Sequence, residues 1–150
     1  MVSLFLDYCT LNDALRDAST LAKLRYLNKE GAVLFTSTTV VGEAMEMMSE
    51  GPKEGQYMLV DLLRDLQVKF LHPKREWVGV LVKLDLFLDE RSASFVPASE
   101  RAHLATAIAN GIGIYVTSTP EARALTGIKG MDVHIKVLDM EGAVHLFKKI

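Results

Sequence analysis

The stretch LFLDYCT, residues 4–10, joins a compact apolar run directly to an aspartate. The apolar run extends over Val2–Leu6, as expected for a strand that is buried on both faces of a parallel sheet. Thr10, followed by Asp13 three residues later, predicts that a helix begins there. Asp7 therefore lies between a strand and a helix, and its short carboxylate should project rigidly from the carboxyl edge of the sheet.

Strands and helices alternate along the rest of the chain. Besides a weaker strand over Ser92–Val96, apolar runs predict strands over Ala32–Phe35, Val68–Leu71, Ile112–Val116 and Val133–Leu138. Apolar residues three and four positions apart predict helices between them, including one that begins at Thr10 and is broken only at Gly31, and one that begins at Thr119-Pro120-Glu121. The sequence thus predicts an α/β fold in one domain over residues 1–150: a three-layer α/β/α sandwich with a central parallel sheet.

Composition restricts the classes of function. The 150 residues are 49% apolar and 24% charged, which fits one water-soluble domain with a buried core. The formal charge of −2 excludes a global basic surface, so any contact with RNA must be local. Cys9 is the only cysteine, which favours a reducing, cytoplasmic compartment. The apolar runs are too short or too interrupted by charge for a signal peptide or a membrane span, so we expect no membrane association.

Three acids occupy positions where a parallel α/β sheet binds ligands. Asp7 follows the first strand, Glu43 lies one turn into the helix after the second strand, and Glu100 opens the helix that leads to Ile112–Val116. Because ligands bind beyond the carboxyl ends of parallel strands, we expect the three side chains to converge. Carboxylate oxygens suit hard cations such as Mg²⁺ or Mn²⁺. Taken singly, each acid is better explained by a surface or helix-capping role, so the prediction depends on all three together.

Four blocks of the sequence resemble one known family. They are the opening strand with Leu6-Asp7, the Thr-rich segment Thr36–Thr39 followed by Glu43-Ala44, the helix motif ERAHLATAI at 100–108, and IYVTST at 114–119. Together they resemble the PIN domains, which include the VapC-like toxins of toxin-antitoxin operons. The resemblance covers nearly the whole chain, and the helix motif is its most specific part.

This resemblance implies a metal-dependent endoribonuclease. Asp7, Glu43 and Glu100 would hold Mg²⁺ or Mn²⁺, with Glu100 replacing the family's more usual aspartate. The cation would polarise a phosphoryl oxygen of RNA and activate a water molecule, which cuts the phosphodiester bond. The family also implies a small antitoxin as a protein partner, and a homodimer.

Two positions depart from the family pattern. Cys9 stands where a small amide is common, and Thr119 stands where a fourth acid is expected, with Glu121 as the nearest substitute metal ligand. Thr119 before Pro120 fits a helix N-cap better than a catalytic role. These departures motivate the alternative prediction, a PIN-like domain whose nuclease site has decayed and which serves as a binding or assembly module.

Other polar residues near the predicted cleft have simpler explanations. His103 is more readily a packed or hydrogen-bonded helix residue than a general base or ligand. The hydroxyls of Thr10, Ser37 and Thr117 could orient bound water, but hydroxyls beside helix starts are more often caps. The absence of a Gly-rich phosphate loop argues against a nucleotide-binding domain of another kind. Four cations could contact phosphates at the mouth of the cleft: Arg16, Lys23, Arg101 and Arg123.

Overall fold

A computed structural model of the protein describes residues 2–90, 96–120, 125 and 135–149. Within these ranges five strands alternate with seven helices. The strands are β1 (Ser3–Leu6), β2 (Val33–Ser37), β3 (Lys69–Leu71), β4 (Ile114–Val116) and β5 (Lys136–Leu138). The helices are α1 (Tyr8–Arg16), α2 (Ala18–Lys29), α3 (Thr38–Met48), α4 (Lys53–Asp65), α5 (Trp77–Glu90), α6 (Ala98–Ala109) and α7 (Met140–Lys148). None of the helices in the described part of the chain is both long and apolar enough to traverse a lipid bilayer.

The five strands form one parallel sheet in the order β3-β2-β1-β4-β5. Strand β1 is central, and Phe5 pairs with Phe35 on one side and with Tyr115 on the other. The chain builds outward from β1 in one direction through β2 and β3, and in the other through β4 and β5. The order therefore reverses beside β1, where ligands bind in open parallel sheets. The predicted α/β architecture with a central parallel sheet is confirmed.

The core is centred on β1. Leu4, Phe5 and Leu6 are fully buried, as required of a strand covered on both faces. The rings of Phe5 and Tyr115 stack with their centroids 5.2 Å apart and their planes 9° from parallel. This contact fixes β1 against β4 immediately below the edge where Asp7 emerges.

The beginning of the first helix differs from the sequence prediction. Asp7, and not Thr10, is the N-cap of α1, because its carboxylate accepts a hydrogen bond from the backbone N–H of Thr10 at 2.8 Å. The predicted single helix is also two helices, since Asp17 is extended and caps α2. The predicted strand over Ser92–Val96 and the helix predicted after Thr119 lie almost wholly outside the described residues.

Helix α5 provides a matched test of the packing. Leu84 is 0% exposed and Leu86 is 59% exposed on the same helix. We expect Leu84→Ala to lower the free energy of unfolding by about 2–5 kcal/mol, because it removes packed methyl groups and leaves a cavity. Leu86→Ala should change it by less than about 0.5 kcal/mol. Urea denaturation of both variants measures the difference, and equal effects would contradict the packing described here.

Candidate functional site

Asp7 is held by one donor from helix α1 and by another from the residue that follows β4. Its side chain is fully buried at the end of β1. One carboxylate oxygen, Oδ1, accepts from the Thr10 backbone N–H, and the other, Oδ2, accepts from the hydroxyl of Thr117, which follows β4. Thr10 donates its own hydroxyl to the carbonyl of Val116 at 3.2 Å. These bonds leave the Asp7 carboxylate little freedom to rotate.

Glu100 lies beside Asp7 in the first turn of α6. It is buried, and its Oε1 accepts a hydrogen bond of 2.5 Å from the phenol of Tyr115. Burial, and then the negative charge of Asp7, raise the pKa of Glu100 to about 8, and the charge of Glu43 adds a smaller contribution in the same direction. Burial, and then the negative charges of Asp7 and Glu100, raise the pKa of Tyr115. The three predicted acids therefore share one electrostatic environment.

Glu43 approaches this pair from helix α3. Its side chain is 38% exposed, so it lies on the solvent side of the three acids. Its Oε2 is 3.0 Å from Nε2 of His103, which lies on α6. The prediction that His103 is a packed, hydrogen-bonded helix residue is confirmed.

The chemistry of these side chains fits a hard cation. All three groups offer carboxylate oxygens, the ligand type that Mg²⁺ and Mn²⁺ prefer. Among the residues that the structure describes, no set of three His, Cys, Asp or Glu side chains has the spacing of a complete ligand set. Glu121, the substitute for the missing fourth acid, lies outside the described residues.

The two departures from the family pattern contact each other. The hydroxyl of Thr119 lies 3.3 Å from the sulfur of Cys9, and its backbone N–H donates to the hydroxyl of Thr117 at 3.1 Å. Burial and the neighbouring charge of Asp7 raise the pKa of the Cys9 thiol, so it stays neutral at pH 7. A neutral pair therefore occupies the place where the family pattern has an amide and an acid.

Sequence reasoning missed Tyr115 as a part of the site. The sequence places this residue in the predicted strand Ile112–Val116 and in the block IYVTST, and gives it no role in the site. A signal was available, because a tyrosine in a wholly buried strand needs a partner for its hydroxyl. The sequence did not say which residue this partner would be.

Of the four cations predicted at the mouth of the cleft, two are paired with acids of the protein. Arg101 is mostly buried and pairs with Asp85 and Asp89 of α5, at 3.1 and 3.7 Å, so it does not face a substrate. Lys23 pairs with Glu141 of α7. The prediction of phosphate contacts was therefore wrong for Arg101, since its charge is used inside the protein.

Arg16 remains a candidate for a phosphate contact. It is exposed at the C-terminal end of α1, the end away from Asp7, and lines a groove of about 480 Å³ between α1, α3 and α4. Tyr8, which follows Asp7 in the chain, lines the same groove. Arg123 lies outside the described residues.

Comparison with solved structures identifies the fold. A chain of the VapBC2 complex from Rickettsia felis, solved with a DNA fragment from its promoter, superposes with a TM-score of 0.75 at 15% identity, over 92% of this chain and 98% of that one. VapC20 from Mycobacterium tuberculosis, a Sarcin-Ricin loop cleaving toxin, gives 0.50 at 16% identity, over 75% and 86%. No family model and no curated protein sequence matches this chain. The protein thus has the fold of the VapC-like PIN domains.

The raised pKa of Glu100 predicts how stability depends on pH in the metal-free protein. An acid with a pKa of about 8 in the folded protein, against 4.5 ordinarily, binds more protons when folded, so its contribution to stability falls as pH rises between these values. Glu100→Gln stays neutral and can still accept from Tyr115. We therefore expect it to raise Tm at pH 9 in EDTA by roughly 5 °C, and by less at pH 5.5.

The control for this experiment is Glu46→Gln, on the exposed side of α3. Its effect on Tm should not grow with pH. Thermal unfolding followed by circular dichroism measures both variants. A Glu100→Gln effect that is the same at both pH values would show that Glu100 is not destabilised by its surroundings.

Proposed function

We propose that the protein is a VapC-like, metal-dependent endoribonuclease that cuts RNA phosphodiester bonds with Mg²⁺ or Mn²⁺ bound by Asp7, Glu43 and Glu100. The observation that carries this proposal is that Asp7 and Glu100 are both buried at the carboxyl end of the central strand, close enough for the charge of Asp7 to raise the pKa of Glu100. Two acids in a buried site repel each other, and a divalent cation relieves this repulsion. The fold supports the same class of activity, because one structural neighbour is a toxin that cleaves the Sarcin-Ricin loop.

The side chains of the site would have separate roles in binding the cation. Asp7 would be the central ligand, since both of its oxygens are fixed by donors of the protein. Tyr115 would keep Glu100 turned toward Asp7. Glu43, on the solvent side, would complete the site nearest to the RNA. A bound Mg²⁺ or Mn²⁺ would supply polarisation of a phosphoryl oxygen and activation of the attacking water.

The acids would also make binding of substrate depend on the cation. Without it, the negative charges of Asp7 and Glu43 repel a phosphate. Exposed Arg16, which lines the same groove as Tyr8, would supply a local positive charge, which an acidic protein needs to attract RNA.

The alternative is a PIN-like domain with a decayed site that binds a partner without cutting RNA. The contact between Thr119 and Cys9 favours it, because neutral groups replace the fourth acid and the amide of the family pattern. Titration with Mn²⁺ separates the two functions. Saturable binding supports the nuclease, and a folded protein that binds no Mn²⁺ supports the decayed site.

We also propose a small antitoxin as protein partner and a homodimer as the assembled state, in the cytoplasm. The likeness to a chain of the VapBC2 complex supports the antitoxin. The exposed apolar side chains on α4 and α5, among them Tyr57, Val78, Val82 and Leu86, supply surface for such contacts.

Cleavage of RNA tests the proposed activity. We expect the intact protein to cut a structured RNA in Mg²⁺ or Mn²⁺ and not in EDTA. Asp7→Asn should lower the rate by about 100-fold or more, because a charged ligand worth several kcal/mol is lost. Asparagine is as good an N-cap as aspartate, so α1 should remain folded.

The control variant is Asp61→Asn, an exposed acid on α4 that pairs with Arg64. It should cleave like the wild type. If the folded wild-type protein cuts no RNA with either metal, the nuclease proposal is wrong. If Asp7→Asn cuts as fast as the wild type, the assignment of the site is wrong.

A further inference from the structure

The ring of His103 links helix α6 to the acid from α3. The His103 side chain is 3% exposed, and its Nε2 lies 3.0 Å from Oε2 of Glu43. His103 follows Glu100 by three residues, so both side chains project from the same face of α6. One helix therefore supplies a carboxylate to the site and also contacts a second carboxylate that another helix supplies.

The direction of this hydrogen bond follows from the chemistry of the two groups. A carboxylate oxygen only accepts hydrogen bonds, so Nε2 of His103 bears the proton and donates it. The bond occupies Oε2 of Glu43 and leaves Oε1 for another partner. Each of the three acids thus accepts a hydrogen bond from a side-chain donor of the protein: Thr117 for Asp7, Tyr115 for Glu100 and His103 for Glu43.

Glu43 depends on its donor more than the other two acids do. Asp7 and Glu100 are buried, and packing limits their movement. Glu43 is 38% exposed and has three rotatable side-chain bonds, so without a partner it would lose rotamer entropy when it binds a cation. His103 is buried and cannot move with it.

We propose that His103 is a positioning residue that fixes the Glu43 carboxylate for cation binding, an inference that rests on the proposed function. His103 touches neither the cation nor the RNA in this role. It orders Glu43 when the protein folds, so the entropy is not lost again when the metal binds. Removal of the donor therefore weakens metal binding and leaves the fold in place.

Three variants separate positioning from packing. His103→Leu removes the donor and keeps an apolar side chain, and His103→Gln restores an N–H donor. Thr106→Val is the matched control, because it removes another buried hydrogen bond of α6, from the Thr106 hydroxyl to the carbonyl of Ala102. Binding of Mn²⁺ is measured from the electron paramagnetic resonance signal of the free ion, with Tm measured for every variant.

We expect His103→Leu to weaken Mn²⁺ binding by about 10–100-fold, as is typical when the group that orients a metal ligand is lost. His103→Gln keeps a donor, so its Mn²⁺ affinity should stay within about threefold of the wild type. Thr106→Val should bind Mn²⁺ like the wild type, even where its Tm falls. If His103→Leu is folded and binds Mn²⁺ as tightly as the wild type, the inference is wrong and the nuclease proposal stands. If the folded wild type binds no Mn²⁺, the nuclease proposal and this inference both fail.

A measurement without metal tests the contact itself. In the metal-free protein, long-range ¹H–¹⁵N spectra of the imidazole should show the His103 proton on Nε2. Glu43→Ala should shift this signal, and Glu46→Ala, on the exposed side of the same helix, should not. An unchanged signal in Glu43→Ala overturns the proposal. This test uses the intact His103, so it does not depend on whether the His103 variants fold.

Discussion

The parallel pairing of β1 with β4 brings Leu6 level with Val116, so the next residues, Asp7 and Thr117, emerge side by side at the same edge of the sheet. The hydroxyl of Thr117 then bonds to Asp7, and the Thr10 backbone N–H bonds to the other carboxylate oxygen. Both the start of α1 and the position of the central acid depend on this arrangement. The rest of the candidate site is built around a carboxylate that the sheet has already fixed.

This arrangement concentrates negatively charged groups in one place, and the acids differ in how far they are buried. The pKa of Glu100 is raised because it is buried beside Asp7, while Glu43 remains partly in solvent. Uncharged groups occupy the remaining space, with the Thr119 hydroxyl against the Cys9 thiol. Among the described residues the site thus has three acids, and each of them is held by a donor of the protein.

The sequence predicts the architecture well because burial leaves a periodic signal. Apolar runs located the strands, and the rule for parallel sheets led to Asp7, Glu43 and Glu100 as neighbours. Hydrogen-bond partners leave no such signal. The pattern of apolar residues therefore missed the break between α1 and α2 at Asp17, and it gave no indication that the hydroxyl of Tyr115 faces Glu100. For the same reason, a buried, paired arginine cannot be distinguished in a sequence from one that faces solvent.

Tyr115 belongs to both the core and the site. Its ring stacks on Phe5, and its hydroxyl bonds to Glu100. The packing at the centre of the sheet and the position of an acid at its edge therefore depend on the same side chain. Phenylalanine at this position would preserve the ring and remove only the hydroxyl, so the two dependences rest on different atoms of one residue.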